Sequence, residues 1–341
     1  MASSSDRTGL AFRQGWRRVL GAPALVAGVW LVMLIGALPA AWAVNTAIAD
    51  HVGPSLVAQR IAAAPDEGWW GEFLAHARGV AVTVQPEIIG AAAPLSNLST
   101  FLDGPGVPAS LAATILLSLI AWLFLNGGII DRYARGRRVG SRAFFGACGV
   151  FFFRFLRLGV IVGLAYWLLV GPYHTLLFSI AYPWLTRETA VERVAFAWRI
   201  ALYLAWLAPL ILLNLTADYA KVRAVVEDRR SMISALLASI RFIRRRFFRT
   251  TGLYLLNIFA VIVILRIWLS AAPSATAAPW LALLVAQVYL LVRLWAKLAF
   301  MASETVFFQG ELAHAQYTAA PEPVWPDSPS AEGLDNLARR P

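Results

Sequence analysis

The sequence predicts an all-α membrane fold: a bundle of six transmembrane helices arranged as three hairpins, with basic amphipathic helices along one surface. Three observations predict it. Of 341 residues, 59% are hydrophobic and only 14% charged, a composition unlike that of soluble domains. The apolar residues fall in runs of about 20, the length that crosses about 30 Å of hydrocarbon. The basic residues behind the net charge of +11 stand beside those runs, which is the bias that orients membrane proteins. With no nucleic-acid-binding module in the chain, that distribution argues against a nucleic-acid partner. The single cysteine, Cys148, excludes an internal disulfide and a cysteine-based metal cluster.

Residues 1–22 form a basic N-terminus (Arg7, Arg13, Arg17, Arg18) with Trp16 as an interfacial anchor. The first apolar run is too long for the core of a signal peptide and reads as a retained span. It covers 23–44, opening on Pro23, where a helix tolerates proline, with Pro39 set to kink its outer end. Residues 45–108 carry six acids against Arg60 and Arg78, so this segment is expected outside the cytoplasm. Trp69, Trp70, Phe73, Ile88, Ile89, Leu95, Leu98 and Phe101 make it too apolar for a free linker. Short helices broken at Pro54, Pro65, Pro86 and Pro94 and folded onto the outer membrane face are expected.

Span two covers 109–130, and a basic, aromatic surface helix is expected over 131–157. Span three is 158–182, kinked at Gly171-Pro172, with an outer loop over 183–199. Span four is 200–217, the amphipathic basic segment 218–250, span five 251–271, a small outer loop 272–279 and span six 280–303. The tail 304–341 reads as disordered after about residue 318. The proposed inner segments hold 22 of the 30 Lys and Arg residues and the outer ones 5, which places both termini in the cytoplasm.

Within 218–250, Ile233, Leu236, Leu237, Ile240, Ile243 and Phe247 recur at helical spacing. Arg241, Arg245 and Arg249 stack four residues apart on another face. Such a helix sinks its apolar face toward acyl chains and keeps its arginines among anionic headgroups. A shift of 92 residues carries Arg137, Arg138, Arg154 and Arg157 onto Arg229, Arg230, Arg246 and Arg249. It also carries Phe144, Phe145, Cys148, Phe151 and Phe155 onto Leu236, Leu237, Ile240, Ile243 and Phe247. Asp131, Asp218 and Glu304 close spans two, four and six at spacings of 87 and 86 residues, with Asn126 and Asn214 about a turn earlier in the first two. The pattern suggests an internal repeat of three units, a common origin of polytopic folds and a frequent one of transporters.

The segment DYAKVRAVVEDRR after span four and MASETVFFQGELAHAQY at the end of span six resemble those of an uncharacterised family of bacterial six-span integral membrane proteins. The likeness covers most of the chain. It implies the fold and a place in the bacterial inner membrane, and no activity for any particular residue. The layout also resembles the membrane domains attached to some glycerophosphodiester phosphodiesterases, whose hydrolase part is absent from this sequence.

The four histidines, His51, His76, His174 and His314, lack metal-ligand spacing, and no phosphate loop, nucleophile elbow or zinc-protease motif occurs. Neither an enzymatic activity, a metal nor a cofactor is expected. The acids Asp131, Asp218 and Glu304 at helix ends are expected to pair with nearby arginines. Headgroup contact falls to Arg137, Arg138, Arg154, Arg157, Arg229, Arg230, Arg241, Arg245, Arg246 and Arg249. Ionisable residues within spans are costly and so informative. Arg266 and Lys297 lie close enough to span ends to snorkel. Arg293 is deeper and, with Gln287, Asn126 and Asn214, could form a polar path inside the bundle, or simply bind helices together. Gly159 and Gly163 fit a close helix crossing, within the chain or between copies. The expectation is a non-enzymatic scaffold or partner subunit, alone or as a homo-oligomer, gripping anionic lipid headgroups. The alternative is a transporter for a small or lipidic solute.

Overall fold

Among the described residues, six helices are long and apolar enough to cross a membrane: Pro23–Val52, Ala112–Arg135, Ser141–Thr186, Glu192–Val226, Phe247–Ala271 and Pro279–Glu311. The chain is a polytopic, all-α membrane protein. The computed structural model describes residues 4–63, 66–84, 109–189, 191–273 and 278–311. In order, the helices are α1 (Ser4–Leu20), α2 (Pro23–Val52), α3 (Val57–Ala63), α4 (Glu67–His76), α5 (Ala109–Arg135), α6 (Ser141–Leu168), α7 (Tyr182–Thr186), α8 (Glu192–Val226), α9 (Met232–Arg245), α10 (Phe247–Ala271) and α11 (Pro279–Glu311).

Local chemistry sets these boundaries. Gly21 and Ala22 separate α1 from α2, which starts on Pro23. Gly136, at φ +70°, ends α5 in the left-handed conformation that glycine adopts without steric cost. Ser231 caps α9 by accepting from the Ser234 N–H. Pro172 interrupts the third span, and two π-helical stretches, Leu169–Tyr173 and Leu176–Ala181, bridge α6 to α7. The Trp206 indole N–H donates to the Leu169 carbonyl at 2.8 Å, supplying a partner where the regular ladder is broken.

At 30 residues, α2 is about 45 Å long and overshoots the hydrocarbon. The protruding end carries the short helices of the following segment. Asp66 caps α4 through the Trp69 N–H at 3.1 Å and pairs with Arg60 at 2.8 Å. Trp69, Phe73 and Ala81 form a small core against Ala47, Ile48 and Val52 of α2. The expected breaks at Pro65, Pro86 and Pro94, and Ile88, Ile89, Leu95, Leu98 and Phe101, lie outside the described residues. So does the tail beyond Glu311, His314 included.

Packing is concentrated at the other end of the bundle. From Met301 to Phe308, every residue of α11 is buried, although a surface helix normally buries one stripe. α1 lies along α11, the start of α6 along the end of α5, and α9 along the end of α8. Small residues allow these approaches. A Cβ added at Gly15 of α1 would sit 2.5 Å from the Ser303 backbone, and one at Gly127 of α5 would sit 2.9 Å from Phe151. Arg18 donates to the Tyr133 carbonyl and to Gln309 Oε1, and Gln309 Nε2 donates to the Ala134 carbonyl at 2.9 Å. Two side chains from α1 and α11 thus satisfy the last carbonyls of α5, which have no partner within their own helix. Toward the far end the helices present Leu31, Ile35, Leu38, Leu116, Leu164, Ile262 and Leu283 outward, as lipid-facing spans do.

Several boundaries differ from the expected ones. The segment 131–157 is not a separate surface helix: Ser141–Leu168 is continuous, so its aromatic half is the first part of the third span. Only Arg246 breaks the corresponding region between α9 and α10. α8 and α11 run past Asp218 and Glu304 to Val226 and Glu311, so these acids stand inside helices rather than at their ends. The N-terminus is a packed helix, not a basic tail. Gly159 meets Leu123 of α5, whereas Gly163 faces open space, so the crossing within the chain uses only the first glycine of the pair.

Because the atoms facing Gly15 are backbone, Gly15→Val should lower stability by about 1–3 kcal/mol or displace α1 altogether. Gly9→Ala, where an added Cβ meets nothing, should be neutral or slightly stabilising. Thermal unfolding of the two variants in detergent, followed by tryptophan fluorescence, checks the contrast. Equal melting temperatures would contradict the crossing.

Candidate functional site

The buried polar residues converge where α8, α10 and α11 meet. Asp218 and Lys221, one turn apart on α8, form an ion pair at 2.5 Å with both side chains about one-fifth exposed. Glu304 of α11 is 1% exposed, and the charges that act on it are those of Asp218 and Lys221. Next to it in the chain, Ser303 Oγ accepts from Asn257 Nδ2 of α10 at 3.0 Å. Among the described residues, Glu304 Oε1, Tyr219 OH and Asn257 Oδ1 are buried without a hydrogen-bond partner. A buried carboxyl group without a hydrogen-bond partner thus stands near a partly exposed ion pair. Removing a partner from an ion pair costs about 3–5 kcal/mol when burial is complete, and less for the partly exposed Asp218–Lys221 pair. Polar groups kept at such cost inside a membrane protein mark a functional or specificity-determining centre.

A second feature is the basic surface at the packed end. α9 has a buried and an exposed side. Met232, Ala235, Ser239, Phe242 and Ile243 are buried in the bundle, while Ile233, Leu237 and Ile240 are exposed. Arg244 follows Ile240 by one turn on the exposed side, and Arg241 and Arg245 are exposed along its edge. The expected single apolar stripe is thus divided: Leu236 and Ile243 pack inward, and Ile233, Leu237, Ile240 and Phe247 face out. Phe248, 89% exposed, continues the outward face beyond the break.

The arginines expected at headgroups separate into two groups. Arg154 pairs with Asp228 at 2.5 Å, Arg229 with Glu227, and Arg246 and Arg249 with Glu311 at 2.6 and 3.2 Å. These four hold the loops and the end of α11 together. Arg137, Arg138, Arg157, Arg230, Arg241 and Arg245 are exposed, as are Arg13, Arg17, Arg142 and Arg244, which the periodicity of 218–250 did not single out.

The acids divide as well. Asp131 pairs with Arg135 at 2.9 Å, Asp218 pairs with a lysine, and Glu304 with no arginine. The expected polar path is not a buried line. Asn126 is buried, Gln287 accepts from Trp30 Nε1 at 3.1 Å, and Arg293 and Asn214 are exposed. Lys297 sets its ammonium 3.8 Å from the centroid of the Trp122 ring, a cation–π contact. His51 and His76 come together, ring centroids 6.1 Å apart, within the aromatic group of Trp69 and Phe73. Among the described residues no group of three or more His, Cys, Asp or Glu could hold a metal ion.

Sequence reading missed Lys221, Ser303 and the whole of α1. The signal for α1 was present: Ala11, Gly15, Trp16 and Val19 recur at helical spacing. Their small number within a basic segment made that stretch read as a surface anchor. The chain matches no family model, and neither comparison with known proteins nor comparison with solved structures finds a similar one.

The polar centre predicts energetic coupling. Lys221→Met, which leaves Asp218 without its ion-pair partner, should destabilise more than the Lys221→Met/Asp218→Leu double variant. The cycle should give a coupling of about 1 kcal/mol or more, measured by thermal unfolding in detergent. Additive effects would mean that the two charges do not act as a unit.

Proposed function

We propose that this protein is an integral membrane scaffold or partner subunit whose basic end grips anionic lipid headgroups at the cytoplasmic leaflet. The observation that carries this reading is the exposed side of α9, where apolar residues and arginines lie together. Its buried face fixes the helix to the bundle, and its exposed Ile233, Leu237 and Ile240 stand beside exposed Arg241, Arg244 and Arg245. That arrangement suits the boundary between acyl chains and phosphates. Each exposed cation near an anionic surface contributes about 1 kcal/mol, so the set is enough to select anionic over neutral lipid. The excess of Lys and Arg in the same segments supports a cytoplasmic location for this end.

A repeat of three units is supported by packing as well as by sequence. Each amphipathic segment preceding a span lies on the end of a different span: the start of α6 on α5, α9 on α8, and α1 on α11. The last pairing closes the series into a ring. The buried Glu304, with Asp218 and Lys221 acting on it, favours transport as a second reading, since carboxylates in such surroundings serve as proton or cation relays. In that case Glu304→Gln should abolish solute flux in proteoliposomes while leaving the protein folded. Undiminished flux would remove Glu304 from the path.

Two measurements test the first reading. In membranes carrying spin-labelled lipids, the full-length protein should prefer phosphatidylglycerol to phosphatidylcholine. The triple variant Arg241→Gln/Arg244→Gln/Arg245→Gln should lose most of that preference, and raised salt should weaken it in the parent. An unchanged preference would count against α9. For orientation, Ser141→Cys and Ser231→Cys, each in a Cys148→Ala background, should both resist a membrane-impermeant maleimide added outside intact cells. Labelling of either from outside would contradict a cytoplasmic basic end.

A further inference from the structure

The turn between α1 and α2 and the end of α5 enclose a cleft of about 350 Å³ lined by Gln14, Arg17, Arg18, Gly21, Arg132 and Gly136. Three guanidinium groups and no carboxylate face it. Asp131, next to Arg132 in the chain, is held by Arg135, and Glu311 is held by Arg7, Arg246 and Arg249. Arg18 is fixed by the Tyr133 carbonyl and by Gln309. Among the described residues, Arg17 and Arg132 make no side-chain hydrogen bond or ion pair.

Two helix C-termini also meet here, those of α1 and α5, and arginines in last turns serve to offset the negative ends of helix dipoles. That role is too small for three charges. Each C-terminus carries roughly half a negative charge, so the pair offsets about one of the three and leaves about two positive charges without a counterion among the described residues. Burial, and after it the charge of Arg132, hold the Arg18 guanidinium below its ordinary pKa. A cleft of this size falls within the range of small-ligand sites, about 300–1,000 Å³. Its position is also defined, since Gly21 comes just before the first span and Gly136 just after the second.

We infer that this cleft binds a phosphate group, with Arg17 and Arg132 as its ligands and Arg18 as the fixed charge behind them. Planar guanidinium groups match phosphate oxygens in paired hydrogen bonds. The cleft is level with the ends of two spans, so the phosphate is that of an anionic phospholipid headgroup or a free phosphate of the same chemistry. The lipid form rests on the reading that this end faces anionic headgroups. The residues, however, are distinct from those of α9, and the cleft fixes one phosphate at one place where α9 offers a diffuse surface.

Native mass spectrometry of the full-length protein in neutral detergent, titrated with phosphatidylglycerol or phosphatidylcholine, provides the test. A thermal-shift titration with inorganic phosphate runs beside it. The parent should retain one phosphatidylglycerol about tenfold or more tightly than phosphatidylcholine. Arg17→Gln/Arg132→Gln should lose that single tight molecule. Arg17→Gln alone, at an exposed side chain that holds no other group, should weaken it several-fold. Stabilisation by inorganic phosphate that disappears in the double variant would identify free phosphate as the source. The triple α9 variant should keep the tight lipid while losing its broader preference, so failure at α9 and failure at the cleft are told apart. A tight lipid retained equally by the double variant, or no discrete binding of either probe to the parent, would overturn the assignment.

Discussion

The burial of α11 from Met301 to Phe308 on every side is the constraint from which the rest of the packed end follows. A helix in the middle of a membrane can leave one face to lipid, but this stretch cannot, because it carries Ser303, Glu304 and Thr305 beside Phe307 and Phe308. Polar groups in hydrocarbon need protein partners. The bundle covers the stretch from several elements: Asn257 of α10 bonds Ser303, α8 packs beside Glu304, and α1 covers the remaining face. α1 can serve as that cover only because Gly15 has no side chain where it crosses Ser303. Removing the N-terminal helix would expose the most polar turn of the last span.

The same constraint explains how the cations are distributed. Acids at this end are few, and nearly all are committed. Glu311 alone takes Arg7, Arg246 and Arg249, Asp228 takes Arg154, and Glu227 takes Arg223 and Arg229. These contacts tie the end of α11 to α1 and α10, and α6 to the loop after α8. Among the described residues, the remaining arginines outnumber the remaining acids at this end, and they lie at the rim of a bundle whose sides are apolar. On the reading proposed above, an anionic bilayer surface would supply their counterions.

The six spans were legible because about 20 consecutive apolar residues leave few alternatives. So was the basic character of one end, which needs only the positions of Lys and Arg relative to those runs. The continuity of helices across the boundary was not legible. Periodicity registers a helix at Ser141–Leu168, but nothing in it says whether the aromatic half lies on the surface or enters the span, since phenylalanine suits both. The polar residues were misread for a related reason. Arg293 looked the deepest by position along α11, yet depth along a helix does not fix which face it occupies, and that face is exposed. Asp218 and Glu304 were picked out by their repeated spacing. That Glu304 is buried while Asp218 pairs with Lys221 depends on how α8 and α11 cross, which no local pattern encodes.

The uneven packing along the bundle axis bears on what such a molecule can do. At the basic end, side chains from four or five helices interlock, and hydrogen bonds such as those of Arg18 and Gln309 join helices distant in sequence. Toward the other end, contacts thin out, π-helical turns replace regular ones around Pro172, and Pro39 and Pro209 sit inside α2 and α8. Segments with few interlocking contacts and irregular backbone open at lower free energy than a packed core. Motion of the spans is therefore expected to pivot about the basic end, leaving its arginine surface and the cleft beside α1 nearly fixed. Glu304 lies within that fixed region, with Asp218 and Lys221 only partly buried beside it, so rearrangement of the outer halves would act on it by changing the access of water from their side. A scaffold would use the rigid end alone, whereas a transporter would need this coupling between them, and the charge centre is where the two readings meet.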